Sequence, residues 1–180
     1  MSGRAAHLTL PVSERDHIRG PVDAPLTLLE YGDFECPHCG AAHFVLEEIR
    51  ATLGPSLRFV YRHFPLTQIH PHAERAAEAA EAAGAQGRFW DMHDRLFEHQ
   101  DALTDEALVE HAEALDLDVA RFVAELATGV HIPKVREDFM SGVRSGVNGT
   151  PTFYIDGVRH DGGYDAASLL RALDAAARAA

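Results

Sequence analysis

Only two cysteines occur in the 180 residues, three positions apart, as Cys36-Pro37-His38-Cys39. Two cysteines cannot build a disulfide scaffold, so their clustering points to a site. The chemistry open to such a pair is thiol–disulfide exchange, in which the thiolate is the nucleophile. A free cysteine is mostly protonated at neutral pH, so one sulfur needs help. At the start of a helix, unpaired backbone N–H groups and the positive end of the dipole stabilise an anionic Cys36. His38 offers a positive charge or an N–H donor beside it. Pro37 suits the first helical position, where its missing N–H costs nothing. Three positions along a helix return to one face, so Cys39 stays within reach and lies deeper. Cys36 is then the attacking sulfur, and Cys39 resolves the mixed disulfide.

Two other uses of the pair stay open on spacing alone: buried core cysteines, or half of a zinc site. Zinc normally takes four ligands from closely spaced pairs. No second Cys-x-x-Cys exists, and the candidate pair His70-x-His72 follows a Pro-bounded loop.

The surrounding pattern must place this site. Leu26–Tyr31 is a short apolar run without helical period, which fits a buried strand. Ala42, Val45, Leu46, Ile49 and Leu53 recur at helical spacing, and Gly54-Pro55 ends that helix. Residues 57–64 alternate like a strand. The opening is therefore strand, turn, helix, strand, a right-handed crossover in a mainly parallel sheet. A long helical block follows. Pro71–Ala83 is Ala-rich, with Glu74, Arg75, Glu78 and Glu81 marking its wet side. Arg88–Gln100 carries Phe89, His93, Leu96 and Phe97 on one face. Further helices start near Thr104, Asp118 and Pro133. The block is large enough for a small core of its own. Asp156-Gly157 then joins Thr152–Ile155 to Val158–His160 as a hairpin. Asp165 caps a last helix with Leu169, Leu170 and Leu173 inward. The first twenty-five residues read as a Pro-punctuated arm with a short edge strand near His7–Leu10.

Composition excludes several classes. The net charge is −12 and basic residues are scattered singly, which argues against nucleic acid. No apolar run approaches the ~20 residues of a membrane span. Met1–Gly20 holds no apolar stretch of the secretory kind, so a cytoplasmic location is expected.

Glu30–Cys39 resembles the active-site segment of DsbA-like thiol–disulfide oxidoreductases of the thioredoxin superfamily. Phe89–Phe97 is similar to a helix of that family's insertion, and Gly149-Thr150-Pro151-Thr152-Phe153 to its cis-proline loop. The resemblance runs in order from about Asp23 to the last helix. It implies an α/β thioredoxin fold with an inserted all-helical domain. That gives residues 1–66 as the arm and first part of the thioredoxin-like domain, 67–146 as the insertion, and 147–180 as the remainder.

The resemblance also implies roles. The Thr150–Pro151 bond would be cis and face Cys36, with Thr150 offering backbone groups to an extended substrate. Glu30 matches a buried acid beneath the disulfide, able to take a proton from Cys39. Pro37-His38 resembles the dipeptide of strongly oxidising members, in which a low Cys36 pKa makes the disulfide a better oxidant. Phe34 and Tyr31 would line an apolar groove near the disulfide, and Phe89, Trp90 and Phe97 would fill the insertion core. The expected activity is disulfide exchange with protein or small-molecule thiols and disulfides, without metal or organic cofactor. Its rivals are a glutathione-dependent transferase or isomerase on the same architecture, and a non-catalytic metal-binding or sensory module.

Overall fold

In a computed structural model of the chain, residues 6–180 are described. The first five positions of the expected arm, Arg4 among them, lie outside the described residues. The chain runs β1 (His17–Arg19), β2 (Leu26–Gly32), α1 (Pro37–Leu53) and β3 (Leu57–His63). Five helices follow: α2 (Ala73–Gly84), α3 (Phe89–Glu98), α4 (Asp105–Ala114), α5 (Val119–Thr128) and α6 (Ile132–Ser145). It closes with β4 (Thr152–Ile155), β5 (Val158–His160) and α7 (Ala166–Ala179). The side chains of Thr104, Asp118 and Asp165 each accept a backbone N–H from the first turn of α4, α5 and α7, which is what stops the chain and starts a helix there.

The sheet has the order β1-β3-β2-β4-β5. Only β2 and β3 pair in parallel; the other three pairings are antiparallel. This corrects the expectation of a mainly parallel sheet. One helical crossover makes the one parallel pair; the Asp156-Gly157 hairpin makes β4 and β5 antiparallel, and β4 and β1 run antiparallel to β2 and β3. The edge strand is also corrected. It is His17–Arg19, while His7 makes an isolated bridge to Val158. Three residues carry no periodicity of their own, so pairing to β3 alone defines β1.

Alternate residues of β2 point to opposite faces. Leu28 joins a cluster with Leu46, Ile49, Phe59, Leu169 and Leu173 under α1 and α7. Leu29 and Tyr31 join Val60, Phe64 and Tyr154 on the other face, against Phe139 of α6. The Leu28 cluster continues through Phe89, Met92 and Leu96 to Leu108 and Phe122. The helical block therefore has no separate core, contrary to expectation. Phe89 and Phe97 pack on Tyr61 of the sheet, and Trp90 donates to the Ile18 carbonyl of β1.

Helix α2 is covered nearly all round, so Glu78 and Glu81 are buried rather than on a wet side. Alanine gives no apolar stripe that would tell a covered helix face from a wet one.

Candidate active site

Strand β2 ends at Gly32, and Asp33–Glu35 turn the chain into α1. Cys36 is the N-cap of that helix with extended backbone, and Pro37 opens the first turn. The Asp33 carboxylate is the hub of the turn. It accepts N–H groups from Glu35 at 2.8 Å and Leu66 at 2.9 Å, and contacts His70 Nδ1 at 2.8 Å. Glu35 in turn accepts the His72 N–H at 2.7 Å. From beyond α3, Gln100 Nε2 donates to the carbonyls of Phe34 and Cys36 at 2.9 and 2.8 Å. A Cβ on Gly40 would sit 2.2 Å from Gln100 Oε1, so a larger residue there would push the amide off the turn.

Both cysteines are free thiols. Cys36 keeps 4 % of its surface and Cys39 none. Any reaction partner must therefore reach Cys36 along a narrow approach. Its sulfur lies 3.4 Å from the Thr150 carbonyl, and the Thr150–Pro151 peptide is cis.

The two thiols have opposite acidities. Hydrogen bonding from the Cys39 thiol, helped by Thr150 and the backbone N–H groups of Cys39 and His38, overcomes burial and lowers Cys36 to about 5. Burial, reinforced by the hydrogen bond to Cys36 and the nearby charge of Glu30, pushes Cys39 well above the usual thiol range. Glu30 sits in the central strand, flanked by Tyr61 of β3 and Phe153 of β4. Burial first, then the charge of Cys36, raises its carboxyl to about 8. Among the described residues, its Oε1 has no hydrogen-bond partner.

Pro37 and His38 are exposed at the rim. His38 Nδ1 lies 2.9 Å from the Tyr164 hydroxyl, which reaches over from the segment before α7. Phe34 is placed otherwise than expected. It is buried, stacked on Tyr61 and packed against Phe97, so it supports the turn from beneath and cannot line an open groove. Tyr31 is buried too, with its hydroxyl on Ser141 and Arg62. An aromatic beside a cysteine motif serves either purpose, and only packing tells which.

Sequence reasoning passed over Asp33, Gln100 and Tyr164. Asp33 left a signal, a small acid directly after an apolar strand where side chains bond to a turn. Gln100 and Tyr164 left none, since each acts across a long sequence separation. Among the described residues, two groups bring three metal-ligating atoms within 4.8 Å: His17, His63 and Glu81, and His43, His93 and Asp94. Neither contains a cysteine.

A sequence profile described as Thioredoxin matches residues 12–175. The fold matches the oxidised form of BdbD from Bacillus subtilis with a TM-score of 0.85 at 20 % identity, over 97 % of this chain and 100 % of that one. It matches alpha-DsbA1 from Wolbachia pipientis with a TM-score of 0.80 at 22 % identity, over 96 % and 95 %. The architecture is thus the DsbA-like form of the thioredoxin fold. Among curated relatives, the chain is 49 % identical over 170 residues to "Na(+)/H(+) antiporter NhaA 1" of Salinispora arenicola, covering 94 % of this chain but 26 % of that protein. It is 47 % identical to "Na(+)/H(+) antiporter NhaA" of Herminiimonas arsenicoxydans, over 92 % and 26 %. The chain spans about a quarter of the length of these relatives. They overturn the expected cytoplasmic location, because they are named as Na(+)/H(+) antiporters. A stretch without an apolar span can be one part of a membrane protein, so its own composition does not report location. No helix among the described residues is long and apolar enough to cross a membrane. With the profile covering nearly the whole chain, the protein belongs to the thioredoxin family.

Proposed function

We propose that the chain is a thiol–disulfide oxidoreductase that exchanges disulfides with protein or small-thiol substrates through Cys36 and Cys39. The observation that carries this is the asymmetry of the pair: Cys36, at the N-cap position of α1 beside the Thr150 carbonyl, is lowered to about 5, while the fully buried Cys39 is pushed well above the usual thiol range. In the reducing direction the Cys36 thiolate attacks a substrate disulfide. The substrate S–S bond breaks, one substrate sulfur leaves as thiolate, and a mixed disulfide forms. Formation of that bond removes the charge on Cys36. With it goes one of the two causes that keep Glu30 protonated. Glu30 then ionises more readily and accepts the Cys39 proton. The Cys39 thiolate attacks Cys36, and the second substrate thiolate leaves. The substrate gains two electrons and the chain loses two. The oxidising direction is the reverse.

Thr150 and Pro151 border the Cys36 sulfur and present backbone to an extended substrate segment. The backbone N–H of His38 hydrogen-bonds the Cys36 sulfur, which favours the reduced thiolate and makes the disulfide more oxidising. In the relatives named as antiporters the matching region is about a quarter of the protein. We read it there as an exchange domain carried alongside a transporter, and assign no ion transport to these residues.

Insulin reduction with dithiothreitol tests the proposal. Turnover that is lost in Cys36→Ser supports it. Absence of turnover together with glutathione transfer that survives Cys39→Ser overturns it in favour of a glutathione-dependent enzyme.

A further inference from the structure

The face of β3 that carries Tyr61 continues two residues on to His63. Antiparallel register sets His17 of β1 opposite Tyr61, and α2 lays Glu81 over this edge. His17 Nε2 and His63 Nε2 each lie 2.7 Å from the same oxygen, Glu81 Oε1. All three ligand atoms fall within 4.8 Å of one another. His63 and Glu81 are buried, whereas the His17 side chain keeps 20 % of its surface. The His17 ring is held flat against Phe89.

Charge distinguishes this trio from the one formed by His43, His93 and Asp94. There Arg19 grips both Asp94 oxygens, at 3.1 and 2.7 Å, so the carboxylate is already neutralised and a further cation is repelled. The ion pairs of Glu81 are with the two imidazoles alone; among the described residues no Lys or Arg pairs with it. A buried carboxylate needs a cation. The imidazoles supply one only while protonated. When neutral they are metal ligands.

We propose that His17, His63 and Glu81 form a binding site for one divalent ion of the zinc class. Two imidazole nitrogens and one carboxylate oxygen are a zinc donor set, and the exposed side at His17 leaves a fourth position for water. Zinc–ligand distances near 2.0–2.2 Å set tetrahedral ligands about 3.3 Å apart, so each 2.7 Å contact opens by roughly half an ångström. An imidazolium releases its Nε2 proton as the metal binds, and a neutral imidazole keeps its proton on Nδ1. The ion ties β1, β3 and α2 together and fastens the N-terminal arm. The site excludes the cysteines and stands independently of the proposed exchange activity.

The test uses protein in the disulfide form, so that Cys36 and Cys39 do not compete, with a Cys36→Ser/Cys39→Ser variant as the parallel sample. Zn(II) is titrated by calorimetry and Co(II) by visible spectroscopy. One ion per chain is expected, with a tetrahedral Co(II) spectrum and a rise in Tm. Glu81→Gln should abolish binding, and His17→Gln should weaken it at least tenfold. Circular dichroism establishes that the metal-free variants fold. His17→Gln, at a partly exposed edge, carries the test if Glu81→Gln does not. The proposal is overturned by the absence of saturable binding below millimolar zinc, or by binding that neither substitution changes, which would place the ion on other histidines.

Discussion

Gln100 Nε2 donates to the Cys36 carbonyl at 2.8 Å, and through that bond the helical block holds the turn that carries the reactive sulfur. The same amide nitrogen reaches Phe34 O, so both of its protons are used on one turn. Gln100→Ala would leave two carbonyls without these donors and cost about 1–3 kcal/mol. Exchange should slow more than stability alone explains, because the helix start that stabilises the thiolate loosens. Gln100→Glu keeps the shape but loses the donors and should behave like the alanine variant. Urea unfolding beside insulin turnover measures both. A glutamate variant with unchanged turnover would show that the clamp is idle.

Iodoacetamide should label Cys36 and spare Cys39. The rate should rise with a midpoint near pH 5, since Cys36 is lowered to about 5 while Cys39 is pushed far above the ordinary thiol range. Mass spectrometry of the labelled peptide identifies the site. The narrow approach to Cys36 makes this a test of access as well. A native protein whose Cys36 resists the reagent until urea is added would mean that no substrate reaches it.

Arg62 is buried and meets the carboxylate of Asp16 with two parallel hydrogen bonds, at 2.7 and 3.0 Å. It also donates to the Leu10 and Pro11 carbonyls, so one guanidinium fixes the arm to β3. Asp16→Asn strands a buried charge and should cost about 3–5 kcal/mol. Burial raises the Asp16 pKa, but Arg62 more than offsets it, and the folded value lies below 3.8. The stability from this group is therefore present above the unfolded pKa and is lost as pH falls through the folded one. Acid unfolding should shift to higher pH in a partial-loss variant such as Arg62→Lys, while Cys36 alkylation at pH 7 stays unchanged.

The strands and helices around the cysteines were legible because each carries its own pattern: the apolar run before Cys36, the helical spacing after it, the Asp-Gly hairpin. The caps Thr104, Asp118 and Asp165 were legible for the same local reason. What escaped was set by contacts far along the chain. Phe34 and Tyr31 look alike whether they line a groove or fill a core, and the layer of α3 and α6 over them decides. Glu81 reads as a surface charge until two histidines from different strands converge on it. Location escaped for a different cause: it belongs to the longer proteins in which the relatives of this stretch occur.

Glu30 and Cys36 should give opposite pH slopes to stability. Glu30 is raised from 4.5 to about 8 on folding, so its contribution is complete below pH 4.5 and is lost as pH rises towards 8. Cys36 is lowered from 9.0 to about 5, so its contribution is complete above pH 9 and is lost as pH falls towards 5. In the reduced protein the two slopes oppose each other between pH 5 and 8. Glu30→Gln removes one of them. The reduced variant should then gain stability with rising pH, by at most about 1.4 kcal/mol per unit and less where solvent screens the rim. The disulfide form of the same variant lacks both titrations. Subtracting its unfolding free energy cancels the histidines common to the two forms. Urea unfolding of both forms at pH 5, 6 and 7, below the range in which Cys39 of the unfolded chain ionises, gives the difference, and a difference independent of pH would mean that Cys36 is an ordinary thiol.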